Sequence, residues 1–215
     1  MRLTYIFHSG FALECEKCIL IFDYWMDPAG ILPSILQTDK PVYVFASHFH
    51  EDHFNKDIFQ WQKDYPSARF TYVLSKDILK RHRCQHVDAD VWLVKGNRWQ
   101  DEQIEVYAMG SNDSGVSWIV KVDGKCIFHA GDLNNWYARF LTDSFDLAMF
   151  PVDGRIGNGY TRGARQFIER FKVGLFVPMH FVASGFKSAW RMKEFTDAQS
   201  IPFWKIGREG EQVVV

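Results

Sequence analysis

The sequence predicts an α/β fold in which sheets are covered by helices on their outer faces. Three observations carry that reading. Short apolar runs of strand length, rich in β-branched and aromatic residues, dominate residues 1–50 and recur over 91–130. Helix-like segments are interspersed among them and alternate regularly with strands after residue 132. With 215 residues, 47% hydrophobic and 16% aromatic, the chain is long enough for one large core and short for two ordinary domains.

In order, LTYIF, FALEC and CILIF read as strands, followed by PVYVFAS, with Pro-bearing breaks between. These first strands read as mostly antiparallel. NKDIFQWQKD (55–64) reads as a helix capped by Asn55, with Ile58, Phe59 and Trp61 on a mixed face. ARFTYVL is a strand and SKDILKRHR a short basic helix. VWLVK, IEVYAM, GVSWIVKV and KCIFHA follow as strands, the last two joined through Asp123-Gly124, a favoured hairpin pair. Then come a helix near 133–141, the strand FDLAMF, a helix over 161–171, the strand GLFVPM, a helix over 187–198 and short terminal strands. No repeat, low-complexity tract or long linker interrupts this run, so residues 1–215 read as a single domain.

Charge narrows the partners. The 25 Lys+Arg against 26 Asp+Glu give a formal net charge of −1, which disfavours a nucleic-acid binder dependent on neutralising phosphates. A small anionic substrate, held by two or three basic residues, remains open. No stretch approaches the ~20 apolar residues of a membrane span, and MRLTYIFHSGFALECEKC lacks the form of a signal peptide. Four cysteines are too few for a disulfide scaffold, and a reducing cytoplasm fits best. Cys15-Glu16-Lys17-Cys18 spells CxxC, but it falls at the turn between FALE and ILIF with no second pair, so it reads as structural.

Residues 47–54, Ser-His-Phe-His-Glu-Asp-His-Phe, carry the chemistry. The run follows a buried-looking strand and precedes a helix. In extended backbone His48 and His50 project to one side and can grip one metal. As the chain turns, Asp52 and His53 swing toward a second position. Three imidazoles and a carboxylate suit Zn, Fe or Mn. His82 and His86 share a helix face and read as a surface pair. His129 reads as a structural hydrogen-bonding residue, with support of a ligand as the alternative, and His8 is open between core and active site. Asp23, closing ILIFD, can orient a ligand.

This segment resembles the metal-binding signature of the metallo-β-lactamase-fold hydrolase superfamily. Phe128-His129-Ala130-Gly131-Asp132 is similar to its later Gly-Asp motif, which implies that Asp132 bridges two metals. Val177-Pro178-Met179-His180 is similar to its last motif, which implies that His180 binds the second metal. Phe7-His8-Ser9-Gly10-Phe11 resembles the opening of the branch containing ascorbate-6-phosphate lactonase and many uncharacterised metal-dependent hydrolases. The resemblance spans about residues 3–182 and implies a four-layer αββα sandwich with metals in the cleft between the sheet edges.

The sequence departs from the family at one place: no His lies between His86 and His129, and Gly110-Ser111-Asn112-Asp113-Ser114-Gly115 stands there instead. Asp113 replaces the imidazole, or only the second site is strong, or the chain is a degenerate binder. On the first alternative His48, His50 and Asp113 hold one divalent ion, in a harder, more oxygen-rich site that favours Mn or Fe over Zn, and Asp52, His53 and His180 hold the other; across the alternatives one or two divalent ions are expected, Zn first, with Mn or Fe open. The implied reaction is attack of metal-activated water on an ester, lactone, amide or phosphoester of a small, anionic molecule. Asp52 would take the proton of that water and His8 would serve the leaving oxygen. Arg155, after FDLAMF, is a candidate for binding a substrate carboxylate or phosphate. Lys187 and Arg191 could add positive charge, and Trp25, Trp136, Tyr137 and Tyr160 could line a pocket. A single-iron oxygenase on the same fold and a non-catalytic metal-binding protein are the alternatives. A homo-oligomer is compatible with the family.

Overall fold

The structure is a computed structural model that describes residues 1–81, 84–111, 114–134, 142–153, 159–181 and 192–215. Its first sheet contains β1 (Arg2–Phe7), β2 (Gly10–Glu14), β3 (Ile19–Phe22), β4 (Pro41–Ala46), β5 (Arg69–Ser75), β6 (Val91–Leu93) and β13 (Gln212–Val214). The order is β13-β1-β2-β3-β4-β5-β6. The second sheet contains β7 (Arg98–Gln100), β8 (Ile104–Gly110), β9 (Val116–Val122), β10 (Lys125–His129), β11 (Ser144–Pro151) and β12 (Lys172–Met179), ordered β12-β11-β10-β9-β8-β7.

Strand alternation divides the apolar residues between two layers. Leu20, Phe22, Tyr43 and Phe45 face the second sheet, where they meet Trp118, Phe128 and their neighbours. Ile19, Ile21, Val42 and Val44 face outward, under the helix α1 (Leu32–Leu36) and the segment around Ile58 and Trp61. On the far side α4 (Gly159–Arg170) buries Phe167, whose ring stacks on Phe128 at 5.0 Å. The result is the expected sandwich, helix–sheet–sheet–helix.

Several local expectations change. The first sheet is antiparallel only from β13 to β3; β3, β4, β5 and β6 run parallel. Parallel neighbours require crossovers, and α1 supplies one in the stretch that reads only as Pro-bearing breaks. Pro33 fits there because it sits in the first turn, where its missing N–H costs nothing. Residues 55–64 form a 3₁₀ turn (Lys56–Gln60) followed by α2 (Trp61–Asp64), with Asn55 accepting from the Asp57 amide as its cap. The edge strand β7 is additional. The basic helix is the short α3 (Ile78–Arg81). Most of the helix near 133–141 and the first part of that over 187–198 lie outside the described residues; the described part of the latter is α5 (Met192–Ala198). The Asp123-Gly124 hairpin holds, both residues taking positive φ (49° and 74°). Cys15 and Cys18 close the β2–β3 turn through a 2.9 Å backbone hydrogen bond, and both are free, buried thiols.

Candidate metal centre

Parallel pairing aligns strand ends, and six of them converge. The carboxyl ends of β1, β3 and β4 in one sheet deliver His8, Asp23 and residues 47–53; those of β10, β11 and β12 in the other deliver Asp132, Asp153 and His180. Ligand sites in open α/β sheets form outside such ends. His8, Asp23 and His180 all adopt left-handed backbone (φ 56°, 43° and 65°), a conformation costly for non-glycine residues and held here by surrounding contacts.

Asp132 stands at the centre. Its Oδ2 lies 3.5 Å from His48 Nε2, and that nitrogen lies 2.9 Å from His50 Nδ1. Its Oδ1 faces the opposite way, 3.0 Å from His53 Nε2 and 3.2 Å from His180 Nε2. Asp52 Oδ2 closes the second group, 3.7 Å from His180 Nε2, 3.9 Å from His53 Nε2 and 3.1 Å from His8 Nε2. Two donor clusters thus share one carboxylate: His48, His50 and Asp132 on one side, and His8, Asp52, His53 and His180 beside it.

Buried partners fix which ring nitrogens face inward. Asp23 accepts from Ser47 N (2.7 Å), Ser47 Oγ (2.6 Å) and His53 Nδ1 (2.6 Å). Because the Ser47 proton goes to Asp23, His48 Nδ1 must donate to Ser47 Oγ, 3.0 Å away. In their neutral form both imidazoles therefore carry the proton on Nδ1, which leaves Nε2 to face the centre as a metal ligand requires. Asp23 clusters with His48 and His53 as well, but its oxygens are committed to these bonds, so it orients donors. Asp153 Oδ2 lies 3.4 Å from His180 Nδ1. His129 bonds Ser9 O through Nε2 (2.9 Å) and stacks on Phe22, so it braces the loop carrying His8 and is not a ligand. Tyr5 holds the same loop: its hydroxyl accepts from His8 N (2.8 Å) and donates to Phe181 O (3.3 Å). At Gly115 (φ 65°) a Cβ would stand 2.0 Å from Ser47 O and 2.6 Å from His48 Cβ, so only glycine allows this approach.

Charge follows the geometry. Burial alone would push the Asp132 carboxyl up, but the facing His53, His180 and His48 rings outweigh it and hold it far below the usual carboxylate range. Asp52 is likewise held low against burial by His8, His53 and His180. Burial alone would lower His53 and His180; Asp132, joined by Asp23 at His53 and by Asp153 at His180, instead pushes them up to about 10 and about 9. Burial pushes His8 down, against the pull of Asp52, and keeps it neutral.

Whether these residues suit a cation can be tested on their unmet valences. His53 Nε2 and Asp132 Oδ1, only 3.0 Å apart, are both buried without a well-aligned hydrogen bond. Two donor atoms this close, neither meeting the hydrogen-bond geometry, are the arrangement expected of ligand atoms sharing an ion. Imidazole and carboxylate donors suit Zn, Mn or Fe, so the residues fit a divalent metal.

The structure brings together His8, His48, His50, Asp52, His53, Asp132 and His180, seven of the residues singled out from sequence. Asp113, Arg155, Lys187, Arg191, Trp136 and Tyr137 lie outside the described residues, as does His82. Trp25 packs edge-on against His8 and Tyr160 lies beside His180. His86 sits in an exposed turn beside Trp92. Sequence reading missed Ser47, Asp153 and Tyr5. The first two carry a signal, being polar residues at the carboxyl ends of apolar strands; Tyr5, inside a strand, has none.

Residues 2–180 match the family model described as the β-lactamase superfamily domain. A metal-dependent hydrolase of Korarchaeum cryptofilum is 26% identical over 190 residues, covering 84% of this chain and 83% of its own. Among solved structures, the metallo hydrolase Igni18 of Ignicoccus hospitalis is similar with a TM-score of 0.75 at 19% identity, over 99% of this chain and 97% of that one. CmlA, a diiron β-hydroxylase from Streptomyces venezuelae, shares the fold with a TM-score of 0.62 at 11% identity, over 87% of this chain and 45% of that one.

Proposed function

Because the chain belongs to the β-lactamase superfamily, we propose that it is a metal-dependent hydrolase with a two-site centre bridged by Asp132. The observation that carries this reading is the division of the Asp132 carboxylate, one oxygen toward His48 and the other toward His53 and His180. His48 and His50 would hold one divalent ion, with Asp113 as a further ligand; Asp52, His53 and His180 would hold the second. Zinc is the favoured ion, with manganese or iron as substitutes. When bound, such ions supply Lewis acidity, lowering the pKa of water and polarising a substrate oxygen.

The chain's own residues divide the remaining work. Asp52, ionised and partly open to the cleft, accepts a hydrogen bond from the attacking water and takes its proton. His8, neutral and 3.1 Å from Asp52, has one N–H to give: it orients the ionised carboxylate and turns to the leaving oxygen once Asp52 has taken the proton of the water. The bond cleaved is an ester, lactone, amide or phosphoester of a small molecule whose anionic group pairs with Arg155. The free thiols favour a reducing compartment, the cytoplasm, and no helix among the described residues is long and apolar enough to cross a membrane.

The test is metal content per chain together with turnover of a chromogenic ester, a lactone and a phosphodiester, in the wild type and in Asp132→Ala, His180→Ala and Asp113→Ala. Two ions per chain, falling to one or none in the variants along with hydrolysis, is the expected result. Full metal content with no hydrolysis of any substrate, or oxygen consumption in its place, would overturn it.

A further inference from the structure

Cys18 precedes β3 and Met1 precedes β1, so both lie at the strand ends opposite those that carry Asp23 and His8. Cys15 and Cys18 flank the two-residue turn between β2 and β3, in the register that pairs Glu14 with Ile19 and Leu13 with Leu20. Directly opposed residues of a hairpin project to one face, with Cβ atoms ~4.5–5.5 Å apart. Both side chains enter the layer between the sheets, 4% and 0% exposed. The Cys15 thiol hydrogen-bonds that of Cys18, and its sulfur lies 3.6 Å from Met1 Sδ. Three sulfurs thus meet at this end of the sandwich. Met1 is half-buried and Glu16 and Lys17 are exposed, so the group lies just under the surface.

The backbone around the sulfurs is tied down from several sides. Asp123, in the β9–β10 turn of the other sheet, accepts from the Glu16 amide at 2.7 Å. Lys40 Nζ donates to Cys15 O at 3.0 Å, and the Met1 ammonium donates to Val215 O at 3.2 Å. A buried free cysteine is ordinarily a small apolar filler. Two thiols and a thioether held together are more than that, because thiolate and thioether are the soft ligands that select Cu(I). Structural zinc takes four ligands, and among the described residues no histidine or carboxylate joins the two thiols as a further donor. The donor set is therefore soft and small.

We propose that Cys15, Cys18 and Met1 form a second metal site, selective for Cu(I) and separate from the His/Asp centre. Binding breaks two S–H bonds and forms two Cu–thiolate bonds, so one cation enters as two protons leave. The Met1 thioether ligates without losing a proton. The Met1 ammonium, which acts on Cys15 already, sits beside the anionic pair that results. No oxidant or reductant is consumed, and a compartment that keeps the thiols reduced also favours copper as Cu(I). The inference does not depend on the hydrolase reading.

The test is an anaerobic titration of the reduced, zinc-loaded chain with Cu(I) supplied as its acetonitrile complex, against bathocuproine disulfonate as competitor. Zinc keeps the His/Asp centre occupied. One Cu(I) per chain should be retained beyond the zinc, lost in Cys15→Ala and in Cys18→Ala and kept in Cys84→Ala and Cys126→Ala. Copper-edge X-ray absorption should show a sulfur shell, and protein carrying selenomethionine should add a copper–selenium path from Met1. That spectrum needs no variant, so it decides the matter even if an alanine variant does not fold. No copper held against the competitor would return the pair to core filler and overturn the proposal. So would copper retained equally in Cys15→Ala and Cys18→Ala, copper that displaces zinc from the centre, or a shell of nitrogen and oxygen without selenium. An extra zinc ion lost in the same two variants would assign the thiols to zinc and overturn it as well.

Discussion

Asp23 is fully buried, and three donors converge on its carboxylate: the Ser47 amide, the Ser47 hydroxyl and His53 Nδ1. Through Ser47 it also sets the tautomer of His48. Asp23→Asn would keep the volume but turn an N–H₂ group toward donors, so His48 and His53 lose their fixed orientation. Metal affinity should fall about 10–100-fold, read as metal content after dialysis against a weak chelator, while the wild type stays loaded. Tyr5→Phe acts differently, because it leaves the His8 amide and the Phe181 carbonyl without their partner. The expected cost is about 1–3 kcal/mol in urea unfolding, with a drop in ester turnover from the displaced His8; unchanged unfolding would mean that water replaces the hydroxyl. These residues also mark where sequence stops being legible. The candidate donors are readable because metal chemistry restricts their type and spacing, as in 48–53. Tyr5 works through a strand end paired with a loop 176 positions away, a relation that no local pattern encodes.

Elements are legible where a period and a turn chemistry agree. Asp123-Gly124 and the alternation around it place β9 and β10 correctly, and the alternating Ile19–Phe22 run divides its side chains between two layers as a strand must. Parallel order is not legible from runs of this kind, since β3 and β4 are each apolar on both faces and the crossover helix between them, α1, is only 5 residues long with a proline in it. The loop entering β9 is the element that packs most tightly on the candidate metal centre's 47–53 segment. Gly115 there passes against Ser47 and His48 with a positive φ, and the Val116 amide donates to Ser47 O at 2.9 Å. Gly115→Ala must move the backbone of the 47–53 segment or its own. It should cost roughly 1–3 kcal/mol of stability and empty the His48–His50 side first, leaving the His53–His180 side loaded. Metal counting by mass spectrometry under native conditions reads this directly: one ion retained per chain is expected, and two would show that the loop yields without disturbing His48.

At the scale of the molecule, two sheets meet at an edge where buried charges are balanced by one another or by a metal. In the metal-free chain His53 and His180 keep their protons up to about pH 10 and about 9, against 6.5 for a free imidazole. Raised histidine pKa values stabilise the folded chain fully below 6.5, and that contribution is lost as pH rises through 9 to 10. Asp132 and Asp52 are depressed, so their contribution is present above 3.8 and is lost as pH falls below that value. Metal-free protein should therefore be most stable between these limits and melt earlier at pH 10 than at pH 7. A divalent ion displaces the histidine protons, since only the neutral ring ligates. Its binding near pH 7.5 should accordingly release protons, measurable as a dependence of calorimetric heat on buffer ionisation enthalpy, and its affinity should rise with pH up to about 9. The loaded chain no longer relies on the imidazolium–carboxylate pairs, so its melting temperature should stay level through the alkaline range where the metal-free chain weakens. Loading at a free metal concentration about 100 times Kd adds about 2.7 kcal/mol. If metal-free and loaded proteins instead lose stability in parallel between pH 8 and 10, the alkaline loss arises elsewhere and His53 and His180 do not face the ion.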